Sequence, residues 1–406
     1  MLICCVYAVI ILIGRIVGEE IVNQNVPSAN STHPEENMNV PEIITYYGYP
    51  VESHTIVTKD HYILTLHRIP YGKTKGNNKT RQPVIVQHAF LESSADFVVC
   101  GEEKSLAFIL ANNGYDVWLT NSRGNKYSRQ NQVLSTDDKE FWDFSFDEMA
   151  KYDLTAIIDY VADITLQSGN IQYIGHSMGT TMFFALMSEQ PEYNKKIKAM
   201  MALAPVAGLK YITSPISYLS PFAEYYYRMS NFLGQYKLLA DGIVTQFLAK
   251  YGCEKSGLEK MCENIFFIFT GYDESQLDEK NLPVILSHSP AGTSTKTLIH
   301  FAQEVQAKGR FQHFDYGEEE NLKRYGSPSP KEYNLGNVTV PVAVFYGDND
   351  WLAAKKDVEI SYNKLPNKIE IYRVPYPKFN HIDFVWAKDA PKLLYQRLLK
   401  LMRQFN

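Results

Sequence analysis

The residues most able to do chemistry lie in Gly175-His176-Ser177-Met178-Gly179, a G-x-S-x-G pattern with a serine at its centre. The apolar, β-branched run Ile171-Gln172-Tyr173-Ile174 precedes it, and a small, Met/Phe-rich run from Thr180 to Met187 follows. Strand, sharp turn and helix are therefore expected, with Ser177 raised at the tip as a nucleophile. Gly175 and Gly179 would let the backbones pass closely. The start of the following helix would put free N–H groups and a positive dipole end beneath a developing oxyanion.

A serine nucleophile needs a base and a carboxylate that orients the base. In this arrangement they follow in the order Ser, Asp/Glu, His. Of the ten histidines, His381 alone follows the acid-bearing loop Gly347-Asp348-Asn349-Asp350. Asp348, Asp350 and Asp383 are the candidate acids, and Asp350 is favoured. Asp383 is too near His381 in sequence to come from the preceding strand end, and Asp348 reads as a solvated turn residue. His176, beside the nucleophile, should point away from Ser177 and serve packing or hydrogen bonding. The oxyanion donors should be the N–H of Met178 and one N–H from the loop His88-Ala89-Phe90-Leu91, that of Phe90.

These residues must be carried by a regular scaffold. His54–Val57 and Tyr62–Arg68 alternate apolar and polar residues about Lys59-Asp60-His61, as an antiparallel hairpin does. Strands are expected at 83–88, 115–119, 171–174 and 199–204, and helices at 106–112 and 146–161. The alternation indicates an α/β fold with a mostly parallel, doubly wound central sheet. From about 208 to 330 the rhythm breaks into Tyr-, Phe-, Leu- and Ser-rich sequence with helical segments at 281–286 and 294–308. Strands return at 340–347 and 368–374, and a helix over 390–405 closes the chain. The middle block thus reads as an insertion over the carboxyl ends of the strands, where ligands bind in such sheets.

Bulk properties restrict the setting. The chain has 406 residues and a net charge near −5, which offers no basic footprint for nucleic acid. Residues Leu2 to Ile13 are almost continuously apolar, a length suited to a signal peptide (1–18) and short for a membrane span. No Lys or Arg precedes the run, so a signal anchor is the other reading. No later stretch is long and apolar enough to be transmembrane. A polar leader, 19–40, should follow.

Secretion would suit the sequons at Asn30, Asn78 and Asn337. Of five cysteines, Cys4 and Cys5 would leave with the signal peptide. Cys253 and Cys262 bracket a short polar segment as a disulfide would. Cys100 is then the odd thiol, expected as a buried small apolar residue.

Several longer stretches carry a family likeness. They are His88-Ala89-Phe90, Asn121-Ser122-Arg123-Gly124-Asn125, Phe141 to Asp153, Gly175 to Thr181, His288 to Ser294, Asp350 to Ala353 and His381 to Trp386. Over residues 40 to 406 the chain resembles the acid lipase family, which includes gastric, lysosomal and insect digestive lipases. The resemblance implies an α/β-hydrolase core in two parts, 41–207 and 331–406, around a helical cap with a lid at 208–330. It implies Ser177, Asp350 and His381 as the triad, supports the Cys253–Cys262 bridge, and makes triacylglycerols or sterol esters the substrates.

Ala89, Phe90 and Met178 depart from the family's usual Gly, Leu and Gln, and Asp348 replaces a common glycine. Ala89 would matter if that position needs positive φ, and Phe90 could narrow the acyl pocket. The expectation is a secreted or lysosomal ester hydrolase working at an oil–water or membrane interface as a monomer. No metal or organic cofactor is implied. Phe222, Tyr225, Tyr226 and Tyr227 would face lipid, or else fill the core of the insertion. The competing function is a catalytically weak lipid-binding or storage protein on the same fold.

Overall fold

The computed structural model describes residues 33–73, 80–240 and 267–406. The expected signal peptide, Asn30, Asn78, Cys253, Cys262 and the 241–266 part of the expected lid region lie outside the described residues.

The hairpin forms as its alternation requires, with β1 (Glu52–Val57) antiparallel to β2 (Tyr62–Ile69). Next in sequence are β3 (Pro83–Gln87), β4 (Asp116–Leu119), the short β5 (Gln130–Asn131), β6 (Ile171–His176) and β7 (Ile197–Leu203). The spatial order is β1-β2-β4-β3-β6-β7, completed by β10 (Val342–Tyr346) and β11 (Lys368–Arg373). From β4 to β11 every neighbouring pair is parallel. The strands β3, β4, β6 and β10 are buried at every position, as apolar runs covered on both faces should be.

The chain leaves the sheet after β7 and rejoins it at β10. Between them lie the helices Ala223–Leu233, Leu282–His288, Thr295–Gln306 and Glu318–Tyr325. A small sheet of β8 (Lys237–Leu238) and β9 (Thr293–Ser294) lies in the same stretch. No described strand of this stretch joins the main sheet.

The expected helix at 146–161 begins at Phe146, continues through a π-helical turn at Met149–Leu154 and runs on as Thr155–Thr165. A capping box starts it: Ser145 Oγ accepts from Asp147 N, and Glu148 accepts from Ser145 N at 2.7 Å. The polar stretch expected as a leader carries structure from Pro34 onward. A 3-10 turn at Pro34–Asn37 puts the Glu35 carbonyl 2.9 Å from His288 Nε2, and Tyr47 donates to the Glu35 carboxylate at 2.6 Å.

Two buried polar clusters fix the loops at the carboxyl ends of the strands. Arg123 lies within Asn121–Asn125 and is 1% exposed. It is gripped by Asp153 at 2.7 Å and Asp60 at 2.6 Å, and stacks over Tyr62 at 3.9 Å. Asn121 Oδ1 accepts from Ser94 N at 3.0 Å, which joins this turn to the loop after β3. Cys100 is buried beside the Val385 carbonyl, and burial pushes its thiol up to about 12, as expected of an inert thiol.

Candidate active site

Ser177 sits between β6 and the helix Met178–Glu189 with φ 51° and ψ −113°. A serine held at positive φ costs about 1–3 kcal/mol, which the surroundings must over-determine. They do: Ser177 N donates to Leu203 O at 3.0 Å, and Thr180 N and Oγ1 both donate to Ser177 O, at 2.8 and 2.6 Å. The two glycines are required by space. A Cβ on Gly179 would lie 2.6 Å from Gln87 O, and one on Gly175 would lie 2.9 Å from the Gly179 backbone. The helix is buried from Met178 to Ser188, which its apolar character all round demands.

His381 arrives on the loop after β11. Its Nε2 is 2.7 Å from Ser177 Oγ, from which it can accept, and its Nδ1 donates to Asp350 Oδ2 at 2.8 Å. Asp350 is on the loop after β10, and its Oδ1 accepts from Leu352 N at 2.9 Å and Ala353 N at 2.8 Å. All three residues are buried, with Ser177 8% exposed. The carbonyl of Thr270, from the insertion, accepts from both Trp351 N and His381 N at 3.3 Å and holds the acid and base loops together.

The other two acids are taken elsewhere. Asp348 pairs with Arg373, which donates through Nε at 2.7 Å. Asp383 closes its own turn by accepting from Asn380 N at 2.7 Å. Burial first, and then the charges of Asp273 and Asp350, push its carboxyl well above the usual range.

On the opposite side lies the loop after β3. Ala89 is absent from the described residues with positive φ, and Leu91 carries that conformation instead at 64°. The change from glycine therefore strains nothing at position 89. His88 fixes the loop. Ser122 N donates to His88 Nε2 at 3.0 Å, so the ring proton is on Nδ1 and is donated to Ala89 O at 2.7 Å. Burial lowers His88 to about 4, which keeps it neutral in that tautomer.

The Ala89 carbonyl and the Phe90 N–H belong to one trans peptide and point opposite ways. Gripping the carbonyl therefore aims the N–H. Among the described residues neither Phe90 N nor Met178 N donates to a protein acceptor. Phe90 itself is half-buried, edge-on to Phe301 at 5.6 Å.

Reading residue types in order misses two features of this site. One is Thr180, whose Oγ1 donates to Ser177 O and accepts from Val206 N at 2.9 Å. The other is Glu92, which accepts from Ala89 N at 2.9 Å and faces His176 Nδ1 at 3.2 Å. His176 is fully buried, and its two ring nitrogens meet Glu92 and the His381 carbonyl, the hydrogen-bonding role expected of it. The aromatics of the insertion divide: Phe222 and Tyr225 are exposed, while Tyr227 packs on Phe314 at 5.2 Å.

A strained serine on a strand–helix turn, hydrogen-bonded to a histidine that an acid orients, can attack a carbonyl and hand the proton on. With this sheet order, the chain is an α/β-hydrolase by fold and site. Two family models agree: a partial alpha/beta-hydrolase lipase region matches residues 40–101, and the alpha/beta hydrolase fold matches residues 82–388. Gastric triacylglycerol lipase of Mus musculus is 43% identical over 92% of this chain and 93% of its own. Lysosomal acid lipase/cholesteryl ester hydrolase of Homo sapiens is 40% identical over 92% of each. A soluble variant of monoglyceride lipase from Saccharomyces cerevisiae has a TM-score of 0.53 at 16% identity, covering 88% of this chain and 99% of its own. The chain belongs to the family of the gastric and lysosomal acid lipases.

Proposed function

We propose that this chain is a serine carboxylic ester hydrolase that cleaves triacylglycerols or sterol esters through an acyl-enzyme. The observation that carries the reading is the 2.7 Å approach of His381 Nε2 to Ser177 Oγ, with Asp350 behind the imidazole at 2.8 Å.

In this reading Ser177 Oγ bonds to the ester carbonyl carbon as its proton passes to His381 Nε2. The carbonyl π electrons move onto oxygen, which faces the N–H groups of Phe90 and Met178. Collapse breaks the bond to the alcohol, which leaves with the proton from His381. Water then gives a proton to His381 and attacks the acyl carbon, and Ser177 Oγ departs and recovers its proton. Asp350 holds the imidazole in the needed tautomer and stabilises its cation.

The insertion supports a lipid substrate. Tyr218, Phe222, Tyr225, Phe232 and Leu233 are each exposed, Phe232 to 84%, and they cluster on and beside the helix Ala223–Leu233. Apolar residues gathered on one surface mark an interaction site. The stretch 208–330 acts as the cap in this reading. No helix among the described residues is long and apolar enough to cross a membrane.

The gastric and lysosomal relatives support a secreted chain, or a lysosomal one. Cleavage near residue 18, a bridge between Cys253 and Cys262, and glycans at the sequons of Asn30, Asn78 and the exposed Asn337 complete the proposal. The monomer remains part of the proposal.

The test is fatty-acid release from a triacylglycerol emulsion and from a sterol ester by the secreted protein and by Ser177→Ala. Release that the substitution abolishes supports the reading, and the faster ester identifies the substrate. Lipid binding without release by the wild type would favour the lipid-carrier alternative.

A further inference from the structure

The proposed machinery has two halves on different loops. The oxyanion donor Phe90 lies after β3, and the base His381 lies after β11. One buried pair bridges them. Glu92 Oε2 accepts from Ala89 N at 2.9 Å, next to the peptide that carries the Phe90 N–H. The same oxygen faces His176 Nδ1 at 3.2 Å, and His176 Nε2 lies 3.0 Å from the carbonyl oxygen of His381. The two imidazoles are 5.1 Å apart, centre to centre. His176 is fully buried, and Glu92 is 7% exposed.

Both neighbours of the His176 ring are acceptors, a carboxylate and a peptide carbonyl. With Glu92 ionised, two donated bonds need a proton on each nitrogen, which makes His176 an imidazolium and Glu92 its counter-ion. Burial opposes charge on both. The attraction between them outweighs it, holding His176 above and Glu92 below their ordinary ranges. Removing one member would leave the other charge buried and unpaired, or force it neutral with a bond lost.

We infer that Glu92 and His176 are positioning residues, a charged clamp that holds the loop of the oxyanion donor Phe90 and the loop of the base His381 in one frame. This rests on the Ser177–His381 reading above and adds to it. Neither residue touches the substrate; both act through Ala89 and the His381 backbone. The order of residue types gives no hint of it, because neither the serine, the acid nor the base requires a partner at position 92.

The experiment uses the full secreted chain and a soluble short-chain ester, p-nitrophenyl butyrate, so that adsorption to an interface does not enter. Glu92→Gln keeps the shape and an acceptor for Ala89 N–H while removing the charge. His176→Gln removes the other member.

Each single substitution is expected to lower kcat about 10- to 100-fold with KM changed less than about threefold, since misplacement by 1 Å costs on that scale. The double variant should be no slower than the slower single, because both break one bridge. Thermal melting checks that each variant is folded. If His176→Gln is not secreted, Glu92→Gln decides alone.

An unchanged kcat in Glu92→Gln, or losses that multiply in the double variant, would overturn the clamp. Activity retained by Ser177→Ala would instead overturn the nucleophile reading beneath it, and the clamp with it.

Discussion

Asp350 Oδ2 lies 2.8 Å from His381 Nδ1 although the two residues are 31 positions apart, while Asp383, two positions from His381, turns back to accept from Asn380 N. The carboxylate that meets the His381 imidazole is selected by where two strands end, and proximity along the chain has no part in it.

Substitution should separate the three acids. Asp350→Asn is expected to lower kcat by about 10⁴, the cost of presenting the wrong histidine tautomer to a serine. Asp348→Asn breaks only the surface pair with Arg373 and should stay within about twofold, since exposed pairs contribute less than about 1 kcal/mol. Steady-state kinetics on p-nitrophenyl butyrate reads both. Comparable losses in the two variants would remove Asp350 from its proposed role.

At position 90 the backbone and the side chain should come apart. Phe90→Leu keeps the N–H and removes the ring that packs edge-on against Phe301. Its rate on butyrate should hold within about threefold, while the long-to-short chain ratio changes by up to about tenfold as the acyl site widens. Phe90→Pro deletes the donor and should cost about 10²-fold on every ester. Rates across a p-nitrophenyl ester series measure both. Equal effects of the two variants would argue that the N–H carries no charge in the reaction.

Arg123 is buried with its charge, and its guanidinium donates to Asp153 and Asp60. Asp153 is buried with it and supplies both an Nε contact at 2.7 Å and an acceptor for Arg123 N at 3.0 Å. Asp153→Ala should destabilise the fold by about 3–5 kcal/mol, the cost of an uncompensated buried charge. The midpoint and slope of a urea unfolding curve give the value. A loss below about 1 kcal/mol would mean that Asp60 neutralises Arg123 by itself.

Stability should also fall on the alkaline side through His313. Burial works against its charge, but hydrogen bonds and the carboxylates of Asp147 and Glu189 raise it to about 9. Its ordinary value is about 6.5, so the folded state holds the proton more tightly than the unfolded one. That contribution is complete below about pH 6.5 and disappears as the pH rises through about 9. The Tm difference between wild type and His313→Gln should be largest near pH 6 and shrink toward pH 10. A difference that stays constant would mean the histidine contributes packing alone.

The sequence by itself determined what depends on local pattern and on order. Alternation fixed the hairpin of β1 and β2, continuous apolar runs fixed β3, β6 and β10, and the spacing of two glycines about Ser177 announced a tight turn between strand and helix. Chain order left His381 as the one histidine after the loop that bears Asp348 and Asp350. These signals are readable because side-chain periodicity and turn chemistry act over a few residues.

Tertiary structure decided whatever depends on which partner waits across space. Arg373 claims Asp348 and Asn380 claims Asp383, leaving Asp350 for His381. The positive φ of the loop after β3 falls on Leu91, so Ala89 can stand where the family usually has glycine. Of the aromatic run in the insertion, Tyr227 is packed while Tyr225 is open to solvent. The bond between Glu92 and His176 joins positions 84 residues apart. No local signal encodes such a pairing, because a charge can be buried only where the fold brings its counter-charge.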